Sequence, residues 1–173
     1  VFFGADKNIA TGDYLFKQPV GVFEVARRVS SGDFGVERIP VTLPEGLTVE
    51  EMADILDSKL PEFNSEEFMF LAQDKEGYMF PDTYLLFAST KTADVFALMK
   101  STFDKKILKA FEKEFEKTER SVSDIIIMAS IIEDEAFDGY EEKQTISGIL
   151  WKRLDMGMML QVDATLRYVN GKE

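Results

Sequence analysis

The stretch Ile39-Pro40-Val41-Thr42-Leu43-Pro44-Glu45-Gly46-Leu47-Thr48-Val49-Glu50-Glu51 carries three structural signals in succession. Residues 39–43 form a β-branched and aliphatic run that reads as a strand. Pro44-Glu45-Gly46 is a turn. Thr48 followed by Glu51 is a capping box, which opens a helix expected to run to about Leu60. Strand, turn and capped helix make one βα unit, and the segments around it are mostly helical. The fold class is therefore α+β.

Downstream, Ser65-Glu66-Glu67-Phe68 starts a second short helix. Glu76-Gly77-Tyr78-Met79-Phe80-Pro81-Asp82-Thr83-Tyr84 is turn-rich and aromatic, and reads as loop or short strand. Over residues 92–118 the spacing of Phe96, Met99, Phe103, Ile107, Phe111 and Phe115 predicts one long amphipathic helix. Ser121 or Ser123 caps the next helix, which contains Ile125-Ile126-Ile127-Met128-Ala129-Ser130-Ile131-Ile132-Glu133-Asp134-Glu135-Ala136. Thr145 to Leu154 reads as a further helix closed by Gly157, and Leu160 to Thr165 alternates like a strand or ordered loop. Upstream, Tyr14-Leu15-Phe16 suggests a short strand, and Val22 to Val29 a helix with its C-cap at Gly32. There is no internal repeat and no low-complexity linker.

Bulk properties exclude several classes. In 173 residues there are 32 acids against 20 bases, a net charge of -12, which argues against a nucleic-acid binder. The chain has no His and no Cys. Ser-His and Cys-His nucleophilic machinery and thiolate or imidazole zinc sites are thereby excluded. Acid–base work falls to Asp, Glu, Lys or Tyr, and the absence of Cys fits either redox compartment. No apolar stretch reaches the roughly 18 residues of a membrane span. The first residue is Val1, and both ends look cut, so an anchor or a further domain is expected outside this chain.

Glu133 stands out because it closes a continuous apolar run. Burial there would disfavour the carboxylate and raise its pKa, which suits a general acid. Ala129 and Ser130 share its helix face and leave room for a ligand, whereas Glu135 lies about 200° away, so the two are no carboxylate pair. The structural alternative is a buried Glu133 paired with Arg153 or Lys152. Glu76, Asp82 and Tyr84 belong to a loop, where functional side chains gather, but a tight turn with packed aromatics explains them equally. Gln161, Asp163 and Thr165 would point to one side of an extended segment, a polar strip for a sugar or peptide, or a solvent-facing edge. The glycines form no phosphate-cradling pattern.

Four segments taken in order resemble the MltG (YceG-like) family of endolytic murein transglycosylases. They are Val41 to Thr48, Glu76 to Tyr84, Ala129 to Glu135, and Arg153-Leu154 with Gly157-Met158 and Leu160 to Thr165. The resemblance implies an enzyme that cuts within peptidoglycan glycan strands and leaves 1,6-anhydro-N-acetylmuramic acid ends. It implies no cofactor and no metal. The family's catalytic glutamate falls on Glu133, with Glu76, Tyr84, Gln161, Asp163 and Thr165 as candidates for holding the glycan. It further implies a LysM-like module at residues 1–60, followed by a helix-rich catalytic domain at 61–173. The expected setting is a membrane-anchored protein on the extracytoplasmic face, near cell-wall synthesis proteins. Two departures stand out: Lys152 occupies a position where the family usually has Asn, and a Tyr-Asn-Thr-Tyr segment beyond Asp-Ala-Thr is lacking. Such chemistry needs one carboxyl group, acid then base, because the sugar's own C6 hydroxyl attacks C1 and no activated water is required. A non-catalytic peptidoglycan-binding or scaffold module is the alternative. A pyridoxal-phosphate aminodeoxychorismate lyase, a label once carried in this family, finds no Schiff-base lysine context here.

Overall fold

A computed structural model of the chain describes residues 9–12, 14–136, 139–163 and 165. Its elements are α1 (Val22–Ser31), β1 (Arg38–Thr42), α2 (Val49–Lys59), α3 (Ser65–Leu71), β2 (Thr83–Phe87), α4 (Thr92–Phe103), α5 (Glu112–Phe115), α6 (Val122–Glu135) and α7 (Tyr140–Asp155). Among the described residues no helix is long and apolar enough to cross a membrane.

The strand, turn and helix read from residues 39–60 are present. Thr48 accepts a hydrogen bond from the Glu51 amide, and the Glu51 carboxylate accepts from the Thr48 amide, closing the capping box of α2. β1 pairs antiparallel with β2, placing Val41 opposite Tyr84 and Ile39 opposite Leu86. Pro40 is tolerated because a two-stranded sheet leaves one side of β1 as an edge. The inward faces of the strands and α2, α3 and α4 enclose one apolar cluster, with Val41, Leu56, Phe68 and Met99 wholly buried. Residue 60, the end of the module implied by the resemblance, lies inside this cluster, and Leu60 is itself buried. Thr92, buried at the start of α4, accepts a hydrogen bond from the Asn64 amide at 2.9 Å and ties α4 to α3.

Three expectations are corrected. Tyr14-Leu15-Phe16 is irregular rather than a strand. Arg28 on α1 holds it by donating to the Leu15 carbonyl at 3.0 Å and lying 4.4 Å from the Phe16 ring centre. Residues 92–118 are not one long helix. α4 ends at Phe103, a π-helical turn covers Asp104–Lys109, and α5 follows. The apolar stripe has two partners: Met99 and Phe103 face the core, whereas Phe111 is half exposed on another surface. The wide turn carries Lys106 to Asp82 at 2.7 Å, and this pairing lowers the Asp82 pKa, helped by the Thr83 amide. Finally, the last long helix begins at Tyr140 rather than Thr145.

Candidate active site

α6 and α7 form an antiparallel hairpin. Ser121 caps α6 through a second capping box with Asp124. Met128 and Ile131 of α6 pack on Leu150 of α7, with Ile132, Ile146 and Trp151 at the margin, giving the hairpin a small core of its own. Beside that core runs a groove of about 550 Å³, lined by Ala129, Ile132 and Glu133 from α6 and by Lys143, Gln144, Ser147 and Gly148 from α7. Its width comes from small side chains. A Cβ added at Gly148 would meet nothing within 4 Å, so the glycine leaves open space at the groove wall.

Glu133 is not buried as the apolar run suggests. Its side chain is 55% exposed, and its carboxylate accepts a hydrogen bond from the Lys143 ammonium at 2.6 Å. The burying residues Met128 and Ile131 lie on another face of α6, so the desolvation inferred from sequence neighbours is absent. The pairing is electrostatically peculiar. Glu133 sits in the last turn of α6, and Lys143 near the start of α7. Each charge occupies the helix end where its own helix dipole disfavours it, at about 0.3–1 kcal/mol apiece. Their contact offsets this.

The expected partners of Glu133 are engaged elsewhere or exposed. Arg153 donates from Nε to the Met159 carbonyl at 2.9 Å and from a terminal nitrogen to Gln161 Oε1, fixing the chain after α7. Lys152 faces solvent.

The other candidate side chains do not line the groove. Tyr84 is a core residue, 5% exposed, whose hydroxyl donates to the Phe80 carbonyl at 2.6 Å. Burial raises its pKa, against a hydrogen bond with Thr102 and with the Asp82 charge adding to the rise. The Glu76 carboxylate accepts from the Val49 amide at 3.1 Å, so it caps α2 across the fold rather than facing a cleft. Its pKa is raised by desolvation, countered by the Val49 hydrogen bond and increased again by Glu51. Gln161 has φ 56, which breaks the extended geometry its role requires. Asp163 and Thr165 lie in a helical turn, with the Thr165 hydroxyl donating to the Val162 carbonyl at 3.0 Å. No polar strip forms from the three.

The loop from Glu76 to Tyr84 nevertheless reaches α6. Gly77 has φ 79, and a Cβ there would come within 2.6 Å of Ile126. Both the conformation and the contact demand glycine. Ile126 precedes Glu133 by two turns on the same face, so this loop abuts the α6 surface that carries the carboxylate about 10 Å further on.

Lys143, Gln144, Ser147 and Gly148 line the groove with Glu133 and were not singled out by sequence reasoning. Gly148 offered a signal: a glycine inside a helix costs about 1 kcal/mol relative to alanine and asks for a reason.

Comparison with known proteins follows the same lines. An endolytic murein transglycosylase of Streptococcus pneumoniae is 23% identical over 210 residues, which cover 99% of this chain and 38% of that protein. One from Bacillus subtilis is 34% identical over 99 residues, covering 56% of this chain and 27% of that protein. The chain thus spans well under half the length of these relatives. A crystal structure of a yceG-like protein from Listeria monocytogenes shares the fold, with a TM-score of 0.66 and 23% identity, covering 97% of this chain and 63% of that one. The model of the YceG-like family matches residues 1–173, and the chain belongs to that family.

Proposed function

We propose that this chain is part of an endolytic peptidoglycan lytic transglycosylase and that Glu133 is its general acid and base. The observation that carries the reading is a carboxylate at the wall of an open groove that the small residues Ala129, Ser147 and Gly148 help to line, in a chain without histidine. The names of the pneumococcal and Bacillus relatives support the reaction class. In the proposed reaction a glycan strand lies in the α6–α7 groove. The Glu133 carboxyl protonates the glycosidic oxygen between N-acetylmuramic acid and N-acetylglucosamine, and the C1–O bond breaks. The resulting carboxylate takes the proton from the C6 hydroxyl as that oxygen closes on C1, leaving a 1,6-anhydro end.

We place the LysM-like module, expected at residues 1–60, on β1-α2-α3-β2, residues 38–87, a reading supported by the pairing of the two strands and the packing of the two helices against them. We assign glycan anchoring to that unit. The full protein would then act outside the cytoplasmic membrane as an anchored enzyme beside cell-wall synthesis proteins. Mass spectrometry of peptidoglycan digested by the chain tests the reaction. Anhydro-muramyl ends are expected, and reducing muramyl ends would show hydrolysis instead. The exposed ion pair of Glu133 favours a second reading, a peptidoglycan-binding module in which that residue is structural. Retention on peptidoglycan without any cleavage would support it.

A further inference from the structure

Among the described residues that line the groove, Lys143 of α7 is the one cation, and its ammonium donates to Glu133 Oε2 at 2.6 Å. Glu133 Oε1 has no hydrogen-bond partner among the described residues. The two carboxylate oxygens are therefore unequal. One is held by the facing helix, and the other is left for a ligand. Stability does not account for this pair. Both side chains meet solvent, Glu133 at 55% and Lys143 at 41% exposure. Ion pairs in such surroundings contribute little, because water screens the attraction and two long side chains must be ordered. Each charge also occupies the helix end that its own dipole opposes. The buried core of the hairpin, Met128, Ile131 and Leu150, is built without either residue.

Orientation does account for it. A glutamate at an open wall is free to turn about its side-chain bonds, and that freedom scatters its carboxyl group. A general acid must bring its proton within hydrogen-bond reach of the oxygen it serves. A displacement of about 1 Å can cost about a hundredfold in rate. An ammonium suits the holding role in both steps of the reaction. It can donate to Oε2 whether or not Oε1 carries a proton, since a carboxyl group keeps acceptor capacity in either form.

We propose that Lys143 is a positioning residue for the reaction, holding Glu133 by Oε2 so that Oε1 handles the transferred proton. The proposal rests on the peptidoglycan reading above and divides its catalytic carboxyl into a held oxygen and a working one. Oε1 gives its proton to the glycosidic oxygen as the C1–O bond breaks. It takes the C6 hydroxyl proton as the new bond from that oxygen to C1 forms. Glu133 ends protonated as it began, and Lys143 keeps its own protons throughout.

The experiment measures initial rates of anhydro-muramyl end formation against glycan concentration, with thermal unfolding in parallel. It compares the unmodified chain with Lys143→Met, Lys143→Arg, Glu133→Gln and the double variant Glu133→Gln with Lys143→Met. Lys143→Met should lower kcat by about tenfold or more while KM stays within about twofold. Its thermal midpoint should stay close to that of the unmodified chain, as expected for an exposed pair. Lys143→Arg, which keeps a charged donor, should recover a large part of kcat. The double variant should be no slower than Glu133→Gln alone, because the lysine acts through the glutamate. A rise in KM at unchanged kcat would make Lys143 a glycan contact and overturn the positioning role. So would equal losses in the Met and Arg variants, or a fall in kcat matched by a fall in thermal midpoint. An unchanged rate in Lys143→Met beside an inactive Glu133→Gln would overturn the proposal and leave the peptidoglycan reading in place. No anhydro-muramyl ends from the unmodified chain would overturn both.

Discussion

The β1–β2 unit with α2, α3 and α4 and the α6–α7 hairpin both use apolar residues on helices, to opposite ends. In the first, buried side chains from five elements converge on one cluster, and Phe68, Leu56 and Val41 lose all contact with solvent. In the second, Met128, Ile131 and Leu150 are the buried members of the cluster, while Ile127 and Ile149 stay half exposed. The hairpin has more apolar sequence than it has core. The difference separates two tasks: one region supplies the stability, and the other keeps an open wall on which a carboxylate and small residues border a groove.

The largest expected effect tests that division. Phe68→Ala removes a wholly buried ring from the large cluster and should cost about 3–5 kcal/mol in urea unfolding. Met128→Ala in the hairpin should cost about 2 kcal/mol, because a small cluster near the surface collapses more easily. Equal losses would erase the contrast. Trp151 sharpens the same point: its emission should change at lower urea than the far-ultraviolet circular dichroism if the hairpin opens as a less stable unit.

Next in size is Gly77→Ala, which meets both a positive φ and the Ile126 side chain. It should cost about 2 kcal/mol and lower any activity of the α6 groove, because the loop would be pushed off the face that carries Glu133. Loss of stability with unchanged activity would disconnect the two regions.

Glu76→Ala should cost about 1 kcal/mol by uncapping α2. Desolvation raises the folded pKa of Glu76 above its unfolded value. The native state therefore binds its proton more tightly, and the contribution of this group is greatest below the unfolded pKa and declines as pH rises through the folded one. Glu76→Gln should flatten the fall in stability as pH rises from the ordinary carboxylate pKa through the raised one of Glu76. An unchanged profile would contradict the assignment. Smallest is Gly148→Ala, which should stabilise α7 by up to about 1 kcal/mol while narrowing the groove and reducing glycan affinity.

What was legible in the sequence was what side chains settle with their own backbone. Thr48 with Glu51 and Ser121 with Asp124 are caps formed within one turn, so their motifs located α2 and α6. The start of α7 was not legible, because Gly139 precedes it without a side-chain cap. Nor was the break after Phe103, since the apolar spacing continues while its packing partner changes. The candidate site divides in the same way. Glu133 could be singled out by its neighbours in sequence, but its exposure depends on which face of α6 meets α7. Lys143 reaches it from the next helix, at a separation of ten residues that no helical period marks. Tyr84 and Glu76 drew attention as polar groups in a loop, and only the packed fold assigns them to the core and to the end of α2.

The central claim is that Glu133 acts in chemistry and not in holding the hairpin together. Its most direct test is the initial rate of anhydro-muramyl end formation by Glu133→Gln relative to the unmodified chain, at matched folded concentration. The account predicts a fall of about a hundredfold or more, the usual contribution of a general acid and base. A rate within about twofold of the original would contradict it, leaving the ion pair with Lys143 as a structural contact.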